Sequence, residues 1–242
     1  MTEEELLALK FGDGTVAENI DRALEAGHLV RDQDGGLRLA APPQSDRLWT
    51  KVRHRPTLDC KFKFSFLFQQ VYRKTAVPFG CSACYKVKVA PRTLRELVAA
   101  WGVGKGIECY SKWGVDLNNR FSQNVYAGYF YATGLEEARV IHRVAREIID
   151  AHPLLGPEVP MSIKRGCSEY EAALGPSDQY SFAPELEELE VYLRARFRRS
   201  KREDRPPPLY HWVDLAFRIG DDTYLDFTQG RRLRPKLLAY DP

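Results

Sequence analysis

The sequence predicts an α+β fold in which an antiparallel sheet is backed by two helices. Three observations carry that expectation. Tyr85, Val87 and Val89 alternate with Lys86 and Lys88, the period-two pattern of a strand with one wet face. Residues 124–132, NVYAGYFYA, are rich in aromatic side chains and read as a second strand. Residues 92–101 and 135–149 carry apolar side chains at helical spacing.

In chain order, Pro91 is expected to open the first helix, Leu94, Leu97, Val98 and Trp101 to form its stripe, and Gly102 to close it. Residues 107–111 are expected to add a short strand. Thr133 and Glu136 are placed as a capping box that starts the second helix, with Leu135, Ala138, Ile141, Val144, Ala145 and Ile148 as its apolar stripe. Residues 159–164 give a further strand that runs into Gly166 and Cys167. The resulting order over 85–165, β-α-β-β-α-β, is the ferredoxin-like split βαβ pattern.

Two domains are expected: residues 1–42 as a small N-terminal appendage and 43–242 as a main domain that bears the cysteines. In the appendage, helices at 3–9 and 16–26 precede a hairpin turning at Asp34-Gly35-Gly36, with the look of a winged-helix tail. APPQSD (41–46) reads as a linker. Cys60, Phe62, Phe64, Phe66 and Phe68 fall in phase at period two, so that Cys60 is expected on the buried face of a strand and not as a ligand. Residues 184–198 read as an amphipathic helix, acidic first and basic last, in keeping with the helix dipole. Residues 211–228 read as a hairpin turning at Gly220-Asp221-Asp222.

With 242 residues, 44% of them hydrophobic, the chain can bury a sizeable core. Its apolar runs are far shorter than the roughly 20 residues that span a bilayer, so no membrane partner is expected. The N-terminal MTEEELLALK is acidic and amphipathic, without a signal-peptide pattern, and a cytoplasmic location is expected. A net charge of +3 does not point to nucleic acid. The basic run at 194–203 reads as a solvated helix end. A zinc-stabilised nucleic-acid-binding protein using that run and the Lys86/Lys88 face is the weakest of the readings.

The chemistry-bearing signal is the cysteine set: Cys60, Cys81, Cys84, Cys109 and Cys167. An odd number in a chain read as cytoplasmic argues against a disulfide framework. Cys81 and Cys84 lie just before the first strand of the split pattern and Cys167 just after the fourth. Those two strands are neighbours running in opposite directions, so their cysteine-bearing ends coincide. Cys109, near the start of the second strand, belongs to the same end. Cys81, Cys84, Cys109 and Cys167 are therefore the expected ligands. One Cys-x-x-Cys plus scattered single cysteines fits an iron–sulfur cluster, [4Fe–4S] foremost, better than zinc, whose structural sites usually show two paired knuckles. Phe79, Tyr85, Tyr110, Trp113 and Tyr170 flank these cysteines as candidate shields, and Lys164 and Arg165 as compensating charges. Three ligands would leave one iron open to a small-molecule substrate. Four would suit electron transfer with a redox partner, or a structural role.

A second reading starts at the C-terminus. HWVD from His211, the Gly-Asp turn and Asp226 on the following strand resemble the His/Asp hairpin of transglutaminase-like, papain-fold thiol hydrolases. That resemblance implies Cys167 as nucleophile at a helix N-terminus, His211 as base and Asp226 as the acid that orients it. It covers these residues alone. The helix after Cys167 is interrupted at Gly175-Pro176, and Cys81 and Cys84 are left without a role.

Overall fold

The structure, a computed structural model, describes residues 1–40, 48–53, 58–116, 125–198 and 209–234. The proposed linker at 41–46 and the end of the basic run, 199–203, lie outside the described residues. The fold mixes helices with antiparallel sheets.

The chain begins with α1 (Glu3–Ala8), the short strands β1 (Lys10–Phe11) and β2 (Gly14–Thr15), and α2 (Val16–Glu25). Both helices open on capping boxes, Thr2 with Glu5 and Thr15 with Glu18, which satisfy amide donors that a helix start leaves orphaned. The hairpin β3 (Leu29–Arg31) and β4 (Leu37–Leu39) follows, turning where expected. Apolar side chains of this region, among them Leu6, Val16, Ile20, Leu29 and Leu37, share one core with residues from much later in the chain. Those residues lie on the π-helix Lys61–Val71 and on α6 (Glu185–Arg196).

The main sheet adds β5 (Trp49–Val52), β6 (Tyr85–Val89), β7 (Ser111–Val115), β8 (Tyr126–Ala132) and β9 (Met161–Arg165), in the order β5-β7-β8-β6-β9. All pairs are antiparallel, with Val87 opposite Phe130 on one side and Ile163 on the other. The helices α3 (Leu94–Gly106) and α4 (Leu135–Asp150) pack on the face carrying Val87, Val89, Trp113 and Phe130. The chain is completed by α5 (Ser168–Leu174), α6, α7 (Leu209–Ile219) and a 3₁₀ segment, Asp222–Phe227.

Several expectations are corrected. Residues 60–68 are not a strand. Phenylalanines at every second position make a helix apolar on all sides, and such a helix is stable where it is buried between two layers. Phe62 and Phe66 meet Phe197 of the N-terminal core, while Phe64 and Phe68 meet Tyr170 on the other side. Residues 211–228 are not a hairpin: α7 buries Trp212, Val213 and Ala216 at helical spacing and stops at Gly220, whose φ of +79° suits a left-handed cap. Helix α3 passes through Gly102 to Gly106, because Gly102 lacks the positive φ of a terminating glycine. Its cap is Thr93, whose hydroxyl accepts from the Glu96 amide at 3.2 Å, so Pro91 precedes the helix. Thr133 bonds Glu137 and not Glu136, and Gly134 is the N-cap of α4. The buried face of α4 is Ala138, Ile141, Ala145 and Ile149, leaving Val144 and Ile148 exposed. The second sheet strand of the split pattern starts at Ser111, after a turn in which the Cys109 amide donates to the Ile107 carbonyl at 2.8 Å.

Candidate metal centre

Cys81 ends a single 3₁₀ turn, Phe79–Cys81, and the Cys84 amide donates to its carbonyl at 3.0 Å. Three elements hold that turn. From α6, the buried Glu190 carboxylate accepts the amides of Phe79 (2.5 Å) and Gly80 (2.9 Å) and the hydroxyl of Tyr72 (3.1 Å). From the π-helix, Lys63 Nζ donates to the Gly80 carbonyl at 2.6 Å. From β9, Arg165 donates to the Ser82 carbonyl at 3.0 Å. Glu190 and Lys63 thus fix the turn that leads into Cys81, and Arg165 fixes the residue after it.

Cys167 arrives by extension of the β6–β9 ladder. Tyr85 is opposite Arg165, and one step further the Gly166 amide donates to the Cys84 carbonyl at 2.8 Å. Gly166 adopts φ +63°, a turn that sets Cys167 as the N-cap residue of α5. Cys81, Cys84 and Cys167 thereby share one apolar pocket with Phe64, Phe68, Val77, Tyr170 and Phe182. Tyr170 is fully buried, with its hydroxyl 3.5 Å from Cys81 Sγ.

The pocket contains a buried cation. Lys86, only 8% exposed, donates from Nζ to Cys167 Sγ at 3.0 Å. Its ammonium lies 5.3 Å from the ring centre of Tyr131 and 5.9 Å from that of Tyr129. Burial alone would lower its pKa, but the neighbouring acidic groups Cys167, Tyr131, Cys84 and Cys60 act the other way, and its pKa lies above the usual lysine value. Burial pushes the Cys81 thiol well up, and the charges of Cys84 and Cys167 add to the effect. Cys84 is also raised by burial, against the pull of Lys86. Cys60 is pushed up to about 11, chiefly by burial and then by the charge of Cys167, with Lys86 opposing. Lys164 is lowered by burial and by the neighbouring charge of Lys86. Thiols so placed resist joint ionisation unless a cation enters among them.

Among the described residues, no three His, Cys, Asp or Glu side chains gather tightly enough for a single metal ion. A lone zinc would need its thiolates all about 2.3 Å from one centre.

The expected residues divide. Cys81, Cys84 and Cys167 come together. Cys109 packs instead against the core between the sheet and the helices. Of the five aromatic shields, Tyr170 is in the pocket, whereas Trp113 is buried in the main core and bonds Ser111 at 2.8 Å. The hydrolase constellation does not assemble. His211 is exposed on α7 beside Tyr210, Asp226 pairs with Arg95, and the sulfur of Cys167 is engaged by Lys86. The described arginines of the basic run have partners: Arg194 pairs with Asp59, Arg196 with Glu3 and Arg198 with Asp34. Lys86 is buried and unavailable to a nucleic acid.

Sequence reasoning missed two residues. Lys86 was read as solvent-facing from strand alternation. The tyrosines opposite it, on a strand already recognised, were the available signal. Glu190 is indistinguishable in sequence from Glu185, Glu187 and Glu188 on the same helix.

Comparison with protein-family models, with curated proteins and with solved structures found no match. Among the described residues no helix is long and apolar enough to cross a membrane.

Proposed function

We propose that this chain binds an iron–sulfur cluster, of the four-iron type, in the pocket of Cys81, Cys84 and Cys167, on a ferredoxin-like split βαβ sheet. The fold part of the reading is supported by the strand order β9-β6-β8-β7, which is fourth, first, third, second in the split pattern. The observation that carries the functional part is the Lys86 ammonium bonded to Cys167 inside a three-cysteine apolar pocket. A buried ammonium is costly unless it faces negative charge. Thiolates bound to iron supply that charge lastingly, and the cationic iron relieves the repulsion among the sulfurs. The Cys-x-x-Cys turn is held by bonds from three elements, so the ligands are positioned before the metal arrives. A reducing, cytoplasmic setting accords with five free cysteines.

The test is the absorption spectrum of protein purified and reconstituted with iron and sulfide without oxygen. The reading expects a brown solution with broad absorption near about 400 nm, and loss of most of that absorption in Cys84→Ser. A colourless wild-type protein holding about one zinc per chain would replace the cluster by a mononuclear site.

A further inference from the structure

We infer that Cys60, and not Cys109, is the fourth ligand of the centre, so that the cluster is closed by four cysteines and leaves no iron open to a substrate. The inference rests on the cluster reading above and deepens it.

Cys60 is the N-cap residue of the π-helix that follows it. Phe64 and Phe68, four and eight residues on, stack on each other at 5.7 Å between centroids and both meet the Tyr170 ring, at 5.9 and 4.5 Å. That helix face is the one turned toward the pocket of Cys81, Cys84 and Cys167, and Cys60 begins it. On its other side Cys60 packs with Leu58, Tyr110, Tyr129 and Tyr131. The rings of Tyr129 and Tyr131 are the two that flank the Lys86 ammonium, itself 3.0 Å from Cys167 Sγ. The aromatic cluster that holds Cys60 thus borders the Lys86 ammonium, which bonds Cys167. Cys109 packs instead against the core that the sheet forms with α3 and α4. Two strand spacings, about 10 Å, separate β7 from β6.

A four-iron cluster held by three cysteines has one iron without a protein sulfur, and mild oxidation removes that iron to leave a three-iron species. One held by four cysteines keeps all four irons. The experiment compares wild type, Cys60→Ser, Cys60→Ala and Cys109→Ser after anaerobic reconstitution, by iron content and by the EPR spectrum after one equivalent of ferricyanide. The inference expects wild type and Cys109→Ser to hold about four irons and to resist conversion. It expects both Cys60 variants to give the three-iron signal or to hold at least one iron fewer. Cys60 variants that match wild type, or loss confined to Cys109→Ser, would overturn the inference and leave the cluster reading intact. Conversion of the wild type itself to the three-iron form would overturn it whatever the variants do, including if they fail to fold. A wild type that takes up no iron and sulfide would overturn both.

Discussion

Lys86 occupies a position that strand alternation assigns to water, yet it is buried and bonded to Cys167. The alternation was real, but the second face of the sheet is covered near this end, and a period of two says only that the faces differ. A positive charge beside the cluster stabilises its reduced, more negative form. Lys86→Met is therefore expected to lower the cluster's reduction potential in an EPR-monitored titration. An unchanged or raised potential would show that the ammonium does not face the cluster. Glu190 gives a second test. Its carboxylate is raised by burial, against the hydrogen bonds from Gly80, Phe79 and Tyr72 that lower it. A folded-state value above the usual 4.5 means a contribution to stability that is complete below that pH and lost as pH rises through the raised value. In urea unfolding, Glu190→Gln should abolish this decline. Glu190→Ala, which leaves three donors without their acceptor, should lose on the order of 2 kcal/mol at neutral pH. An alanine variant as stable as wild type would mean that the carboxylate does not hold the Cys81 turn.

At the scale of elements, the sheet and two helices between 85 and 165 were legible because their apolar side chains recur at strand or helix spacing, although β8 is buried on both faces and the strand expected at 107–111 lies at Ser111–Val115. Periodicity then reports directly on structure. The elements that failed are buried on both sides or placed by distant partners. The phenylalanine run at 62–68 satisfies a strand pattern, and only the layers on either side of it, one carrying Phe197 and the other Tyr170, make it a helix. The hairpin expected at 211–228 gave way to α7 because Trp212 and Ala216 are four apart and both pack inward. Contacts between elements are tight at Trp113. A Cβ added at Gly128 would sit 2.1 Å from its ring, and one at Gly104 2.5 Å from its Nε1. The indole is wedged between β8 and α3, with no flexible end to yield. Gly128→Ala is expected to destabilise the protein by about 1–3 kcal/mol in urea unfolding, with its iron content unchanged. A neutral outcome would mean that Trp113 can shift without cost.

At the scale of the molecule there are two large cores, and the π-helix lies between the N-terminal one and the cluster of Cys81, Cys84 and Cys167. One core is formed by the sheet with α3, α4 and α7, the other by α1, α2, the π-helix and α6. The candidate ligands come from the start of the π-helix, the turn before β6 and the turn after β9. The convergence of Cys81, Cys84 and Cys167 was readable from topology, because strand order and direction fix which strand ends coincide. The place of Cys60 and of Cys109 was not readable, because that depends on which face of the sheet each segment covers. The most direct test of the account is the content of iron and acid-labile sulfide per chain in wild-type protein reconstituted without oxygen. The account predicts about four of each, with the sulfide retained after gel filtration. Iron and sulfide that both wash away, leaving a folded and colourless protein, would contradict it.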